Sequence, residues 1–268
     1  MTAALRAVLA LLVLAVSACK PQAPEPAPTP AFDAKASLVA YLTGVYGVHA
    51  ARGETWIDGA DDARVQRSVC AFGPMEGDPR RHFLLAVCGE WLARGHSSPG
   101  LVDFHLLEPT ADGFHPTATA RDHGFGSDGH PGTVSLVRLG RERGGFLVEE
   151  GWVGQGLVTG TRSIMEFRDG ALRTLAAVRS GIANAGAADC LEAADCASSF
   201  DVDFAQALDD SAPAADAYPL LVHETGRECG AEVDRRHRFA FDAASGRYPV
   251  PATLMREDCL RPSNPDPE

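Results

Sequence analysis

Short apolar segments separated by tight turns recur along most of this 268-residue chain, and they constrain its fold more than any other feature. The clearest case is the pair Thr161–Phe167 and Ala171–Val178, between which Asp169-Gly170 predicts a two-residue β-hairpin turn. Similar segments occupy Ser68–Phe72, Phe83–Cys88, Val102–Leu106, Phe114–Ala120, Thr133–Leu139 and Phe146–Val153. Because few helical stretches separate them, they predict a mainly β fold, an antiparallel sheet of sandwich or roll type, with α+β as the alternative.

Two other segments are distinct from this pattern. In Asp33–Ala50, Leu38 and Leu42 belong to an apolar stripe at helical spacing, and Gly53 offers a stop, so we expect one N-terminal amphipathic helix. The acidic, alanine-rich stretch Asp201–Tyr218 predicts either a second short helix or a long loop.

The first nineteen residues have the features of an export signal. Arg6 supplies a positive charge, and Ala7–Val16 is an unbroken run of ten apolar residues. A helix needs about 20 apolar residues to cross a bilayer, so this run is too short for a stable transmembrane segment. The next residues, Val16-Ser17-Ala18-Cys19, resemble the lipobox of bacterial lipoproteins.

The lipoprotein resemblance implies a modified N-terminus. Met1–Ala18 would be removed as a signal peptide, and Cys19 would carry the fatty acids that attach the chain to a membrane. Lys20 stands where inner-membrane lipoproteins of enteric bacteria carry aspartate, so the resemblance favours the outer membrane, with the body in the periplasm. The alternative is an ordinary secretory signal followed by an incidental cysteine.

Domain boundaries follow from this interpretation. Residues 19–31 form the lipidated cysteine and a tether, since Pro21–Pro30 holds five prolines and favours an extended spacer of about 3.1 Å per residue. Residues 32–262 form a single β-rich domain, and the polar residues 263–268 form a disordered tail.

Six cysteines remain after Cys19, an even number that predicts disulfides in an oxidising compartment. Six cysteines allow fifteen connectivities. Proximity favours Cys70–Cys88, Cys190–Cys196 and Cys229–Cys259. A metal–thiolate site or a redox pair is the alternative, although the chain contains no C-x-x-C motif.

The charge balance excludes one class of partner. Removal of the signal leaves 36 acidic and 23 basic residues, a formal charge of −13, and we find no basic run of five residues. Nucleic acid is bound largely through Lys and Arg, so we expect no nucleic-acid partner.

The sequence contains few residues that indicate a reaction. Residues 96–130 hold five of the nine histidines, and His123, Asp128 and His130 in a glycine-rich stretch are a candidate set for zinc or a similar divalent metal. Such a stretch also fits a plain solvated loop, and beyond this metal we expect no cofactor. Trp91 and Trp152 are candidates for a glycan or small-ligand platform.

We therefore expect a membrane-anchored periplasmic lipoprotein that is non-catalytic and binds a periplasmic protein or an envelope polymer. A divalent-metal-binding protein or metal-dependent hydrolase that uses the His-rich residues 96–130 is the alternative.

Overall fold

A computed structural model describes residues 32–47, 50–51, 55–59, 63–93, 98–184 and 199–259. In these residues one α-helix precedes thirteen strands, all paired antiparallel, so the predicted fold class is confirmed. No helix within these ranges is long and apolar enough to span a bilayer. The elements are α1 (Ala34–Tyr46), β1 (Ala50–Ala51), β2 (Thr55–Asp58), β3 (Val65–Pro74), β4 (Phe83–Trp91), β5 (Gly100–Thr110), β6 (Gly113–Phe125), β7 (Thr133–Gly140), β8 (Arg143–Gly154), β9 (Leu157–Arg168), β10 (Ala171–Ala183), β11 (Phe200–Leu208), β12 (Leu220–Glu228), β13 (Ala231–Phe239) and a 3₁₀ helix (Ala252–Met255).

The strands form two sheets in which sequence neighbours are also spatial neighbours. The first sheet has the order β1-β2-β3-β4-β5-β6, and the second has the order β13-β12-β11-β10-β9-β8-β7. The predicted hairpin at Asp169-Gly170 joins β9 to β10, with φ of 51° and 76° at the two turn residues. Two adjacent positive φ values are what a type I′ turn requires.

Helix α1 is shorter than the sequence predicted. Asp33 caps its N-terminus by accepting hydrogen bonds from the backbone N–H groups of Lys35 (3.0 Å) and Ala36 (3.1 Å). The predicted end near Ala50 and Gly53 is wrong, because Gly47 already turns out of the helix with φ 87° while its N–H bonds to the Thr43 carbonyl.

The two sheets pack together through a shared apolar core. Phe104 of β5 and Phe146 of β8 meet edge to face, with their ring centroids 4.8 Å apart. The buried members of this core come from both sheets: Leu84, Ala86, Cys88, Val102, Phe104, Val134, Phe146, Val148 and Met165. Burial of this set, at about 25 cal/mol per Å² of apolar surface, is a main stabilising contribution to the fold.

Helix α1 covers the other face of the first sheet. Leu38 and Leu42 of the helix pack with Leu85, Val87 and Leu107 of β4 and β5. Strand β4 is therefore buried on both faces, which explains its continuous apolar sequence.

This coverage also buries polar residues of β5. Asp103 is fully buried and accepts hydrogen bonds from the Tyr46 hydroxyl (2.6 Å), Arg67 Nη1 (2.9 Å) and Arg121 Nε (3.2 Å). Burial alone would raise the pKa of Asp103, but a hydrogen bond from the Asp122 N–H and these three donors hold it below its usual value.

A C-terminal segment packs on the second sheet. The Tyr248 hydroxyl donates to the Tyr218 carbonyl (2.7 Å), and Arg256 bonds the buried carboxylates of Glu224 (2.6 Å) and Glu228 (2.9 Å). Burial would raise the pKa of Glu224, but hydrogen bonds from Arg256 and His237 lower it instead.

Two of the three predicted cysteine pairs lie at disulfide distance. Cys70 and Cys88 join neighbouring strands with their Cα atoms 5.6 Å apart, and Cys229 and Cys259 join β12 to the C-terminal segment at 5.7 Å. The predicted pair Cys190–Cys196 lies outside the described residues, as do Cys19, the signal segment, the tether and the tail.

The expectation of a helix or loop over residues 201–218 is wrong for its first half. Residues 200–208 form β11, in which Phe200, Val202 and Phe204 are buried and Asp201 and Asp203 are exposed. Buried and exposed side chains therefore alternate with a period of two, which is the pattern of a strand. The acidic composition obscured this pattern in the sequence.

Candidate functional site

A groove opens beside the second sheet, at the end of the sheet where β8 turns into β9. Its cavity has a volume of about 720 Å³. Strands β8, β9, β10 and β11 line it, together with residues 126–133 between β6 and β7.

Three glycines in neighbouring strands lie side by side in the lining of this groove. The turn at Gln155-Gly156, with φ of 53° and 78°, sets the register that pairs Gly151 of β8 with Gly160 of β9. Gly160 in turn pairs with Gly181 of β10. We call this region, with its surrounding side chains, the glycine groove.

The backbone does not require glycine at these three positions, since none has a positive φ. A Cβ added to Gly151 would lie 3.4 Å from the Thr159 carbonyl oxygen, and one added to Gly181 would lie 3.5 Å from Asp203 Oδ1, which are ordinary contacts. Glycine inside a strand often marks a place where another molecule approaches the backbone closely. The missing side chains therefore leave free volume at Gly151 and Gly181, whereas the Ser180 hydroxyl fills the space that a Cβ at Gly160 would occupy.

An apolar rim borders the groove at the β8–β9 hairpin. Trp152 is 43% exposed, Val153 is 74% exposed and Val158 is 45% exposed. The indole ring of Trp152 lies in the space that a side chain at Gly154 would fill. Clustered exposed apolar side chains bordered by polar groups are typical of an interaction site.

Two polar groups lie over the glycines. The Ser180 hydroxyl occupies the space beside Gly160, and the carboxylate of exposed Asp203 leans over Gly181. Neither makes a hydrogen bond or ion pair with any residue that the structure describes. Both are therefore available to a ligand, the hydroxyl as donor or acceptor and the carboxylate as acceptor.

A fixed polar wall completes the groove. Arg162 donates to Glu149 Oε1 through Nη2 (2.9 Å) and to the Phe204 carbonyl through Nη1 (3.3 Å). Glu150 accepts from the Gly126 N–H (2.7 Å) and thereby ties the β6–β7 connection to β8. The lining carboxylates are Asp128, Glu149, Glu150 and Asp203, against one arginine and His130, so the groove is acidic.

The structure does not assemble the predicted metal site. His123 lies on β6 opposite Val102, with its ring stacked on Phe125, whereas Asp128 and His130 belong to the next turn and line the groove. Over the described ranges, no group of three His, Cys, Asp or Glu side chains is arranged to hold a metal ion. The geometry therefore does not support a hydrolase built on these three residues.

The other histidines of residues 96–130 also lie apart. His105 is fully buried beneath α1, where its Nδ1 lies 3.0 Å from the Tyr41 hydroxyl, and His115 is exposed on β6. His130 Nδ1 lies 3.3 Å from Glu90 Oε1. His96 falls outside the described residues.

Of the two tryptophans predicted for a platform, one lines the groove. Trp152 is part of the apolar rim, whereas Trp91 of β4 donates its indole N–H to the Pro99 carbonyl at 2.9 Å.

Sequence reasoning missed most of the groove, including Gly151, Gly160, Gly181, Ser180 and Asp203. One pattern pointed to part of it. Counted outward from a Gln155-Gly156 turn, the register places Gly151 opposite Gly160, and paired glycines within two strands are unusual.

Comparison with protein families, with curated proteins and with solved structures found no match to this chain.

Proposed function

We propose that this chain is a lipid-anchored, non-catalytic binding protein of the bacterial cell envelope, and that the glycine groove binds a polyhydroxylated envelope polymer. The observation that carries the binding function is the combination of exposed Val153 and Val158, which lie on the same face of the sheet as Gly151 and Gly160, with a glycine surface over which Ser180 and Asp203 have no partner among the described residues. The outer membrane, with the body in the periplasm, is the proposed location.

The sequence supports the anchor. A short apolar leader ends at Cys19 in a lipobox-like tetrapeptide. Two acyl chains hold a protein at a membrane far better than one, because each buried CH₂ contributes about 0.8 kcal/mol. Two cysteine pairs at disulfide distance in the body agree with an oxidising compartment.

The groove's chemistry favours a glycan. A sugar ring presents C–H groups that pack on apolar side chains and hydroxyls that donate to carboxylates. Four carboxylates against one arginine disfavour anionic polymers, because like charges repel at short range. The favoured ligand is therefore a neutral or amino-sugar glycan in which a ring packs on Val153 and Val158, on the glycine face, while Asp203 and Ser180 bond hydroxyls.

A panel of neutral and amino-sugar oligosaccharides, titrated calorimetrically into the purified protein, tests the groove. We expect binding that Val153→Ala/Val158→Ala weakens at least tenfold, because the apolar packing surface on the glycine face is lost. Gly181→Val should weaken it as strongly, because the added side chain fills the groove where the structure has room for it.

Val39→Ala is the matched control, since Val39 is an exposed apolar residue of α1 outside the groove. It should leave affinity unchanged. If the protein bound none of the panel, or if Gly181→Val bound as tightly as the unmodified protein, the glycan proposal would be wrong.

A periplasmic protein is the second candidate partner, favoured by Val153, the most exposed large apolar residue among those that the structure describes. Crosslinking in intact cells tests it. A reproducible partner that Val153→Ser and Trp152→Ala both lose would replace the glycan.

The anchor has its own experiment. Mass spectrometry of the native protein should find an acylated N-terminal Cys19, and Cys19→Ala should remove the fatty acids and release the chain from the membrane. Lys20→Asp should move it from the outer to the inner membrane. A native chain that begins at Met1 without fatty acid would overturn the anchor without bearing on the groove.

A further inference from the structure

Three arginines line a second concave surface, at the end of the second sheet opposite the glycine groove. Arg168 and Arg173 flank the β9–β10 turn, and Arg247 follows the turn of residues 242–246. They enclose a cavity of about 360 Å³, which we call the arginine pocket. The hydroxyl-bearing residues Thr174 and Ser245 also line it.

Local packing holds Arg168 in this pocket. Its guanidinium carbon lies 5.7 Å from the centroid of the Phe241 ring. Gly246 has φ 71°, and a Cβ there would come within 2.7 Å of Arg168 Nη1, so glycine leaves room for the guanidinium. Arg143 contacts the same ring, but its Nε and Nη2 donate to the two oxygens of the Glu166 carboxylate at 2.7 and 2.6 Å.

The three pocket arginines differ from Arg143 in having no carboxylate within ion-pair distance among the described residues. Asp169 is the one carboxylate in the pocket lining, so the lining carries a formal charge of +2. This is a local excess of positive charge on a chain whose formal charge is −12.

The turn backbone does not supply further donors. The N–H groups of Ala244 and Ser245 both donate to the Asp242 carboxylate, at 3.0 and 3.2 Å. Asp242 also lies close enough to Arg247 to lower the Asp242 pKa, after the larger effect of the Ser245 and Ala244 hydrogen bonds. The Ser245 hydroxyl also bonds Asp242, so an anion in the pocket would be held by guanidinium groups and the Thr174 hydroxyl.

We propose that the arginine pocket binds a phosphate monoester or diester group. Guanidinium groups bond two oxygens at once, and the tetrahedral arrangement of phosphate oxygens lets several arginines bind one group. A phosphate monoester carries about −1.5 to −2 at pH 7, which matches the +2 of the lining better than a single carboxylate does.

The position of the pocket suggests two sources for that phosphate. The β3–β4 connection at Gly77 touches the β7–β8 turn at Arg141, so these connections and the β9–β10 turn lie at one end of the body. Helix α1 begins at this end, where Ser37 lies beside Gly113 of the β5–β6 turn. If the chain is anchored as proposed, a lipid headgroup is one source, and a soluble phosphate ester is the other.

The test has one arm for each source. Glycerol 3-phosphate is titrated calorimetrically into the purified protein, and flotation measures binding to phosphatidylcholine vesicles with and without phosphatidylglycerol. The double variant Arg173→Gln/Arg247→Gln removes two exposed guanidinium groups and keeps Arg168, which packs on Phe241.

The matched control is Arg227→Gln/Arg236→Gln, which removes the same charge from exposed positions on β12 and β13. We expect the pocket variant to weaken binding at least tenfold and the control to change it less than twofold. Arg173→Lys/Arg247→Lys should give an intermediate loss, since the charge remains but bidentate bonding does not.

Binding in the titration that depends on Arg173 and Arg247 identifies a soluble ester. The same dependence seen only with phosphatidylglycerol vesicles identifies a headgroup. The proposal is overturned if the unmodified protein binds in neither arm, or if the pocket and control variants lose binding equally. Neither result bears on the glycine groove, which shares no residue with this pocket.

Discussion

Lowering the pH from 7 to 4 should destabilise the body through His105, which is fully buried beneath α1. Burial lowers the pKa of His105 to about 4, and nearby Arg121 and Arg67 add to that effect while Asp103 opposes it. In the unfolded chain the same imidazole titrates near 6.5. Between these two values the unfolded state binds more protons, so acid favours unfolding.

The magnitude follows from the difference between the two pKa values. Stability from this group is complete above pH 6.5 and declines as the pH falls towards 4, by about 1.4 kcal/mol per pH unit. The total loss is about 3 kcal/mol, of which about 2 kcal/mol is lost by pH 5. The lowered carboxyl pKa values of Asp103 and Glu224 act below the interval from 7 to 5, and comparison with a His105 variant separates this histidine from the other eight.

Urea unfolding at pH 7, 6 and 5, followed by tryptophan fluorescence, measures this loss. His105→Gln keeps a polar side chain that cannot be protonated in this range, and it should flatten the pH dependence by about 2 kcal/mol over the interval. His115→Gln, on the exposed part of β6, is the control and should keep the unmodified slope. An unchanged slope in His105→Gln would refute the argument.

Three further predictions concern stability, each measured by urea unfolding. Arg256→Met should cost about 3 kcal/mol because it removes the buried cation that bonds both Glu224 and Glu228 and leaves these carboxylates only Arg235 and His237, whereas Arg238→Met at an exposed ion pair should cost less than about 1 kcal/mol. Replacement of Cys70 and Cys88 by serine should cost about 3 kcal/mol, the entropy expected for a separation of 18 residues. Phe104→Ala should cost about 3–5 kcal/mol, because it opens a cavity between the sheets.

Turn chemistry and alternation were enough to predict strands β3 to β10, but not β11 or β12. Asp169-Gly170 adopts the turn that its residue types require, and β3 and β4 contain the apolar segments predicted around Cys70 and Cys88. Turn residues and alternation are local signals, so they can be recognised in a single sequence without knowledge of the tertiary structure.

Alternation alone could not show what covers each face. In β5, Asp103 and His105 alternate with apolar residues, a pattern that is typical of a solvent-facing side. In the fold that side is buried under α1, because Arg67, Arg121 and Tyr46 arrive from distant segments to neutralise and bond the carboxylate. Hydrogen-bond partners that are distant in sequence cannot be inferred from the residues around Asp103.

The irregular pairing of β9 with β10 is why the sequence did not predict that Gly160 lies beside Gly181 in the glycine groove. A uniform register from the Asp169-Gly170 turn pairs Gly160 with Arg179, yet two shifts within the β9–β10 pair place Gly160 opposite Gly181. Neither shift is marked by a residue type that the sequence singles out. The groove therefore became visible only with the strand pairing.

The two candidate sites lie at opposite ends of β9, whose twelve residues span about 36 Å at about 3.3 Å per residue. The arginine pocket shares its end of the body with the start of α1, and the glycine groove lies at the other end. If the chain is anchored through Cys19 as proposed, the groove is the candidate site farther from the start of α1, a position that suits a ligand among the polymers of the periplasm. The acidic groove also disfavours the phosphate group proposed for the basic pocket, because like charges repel at short range.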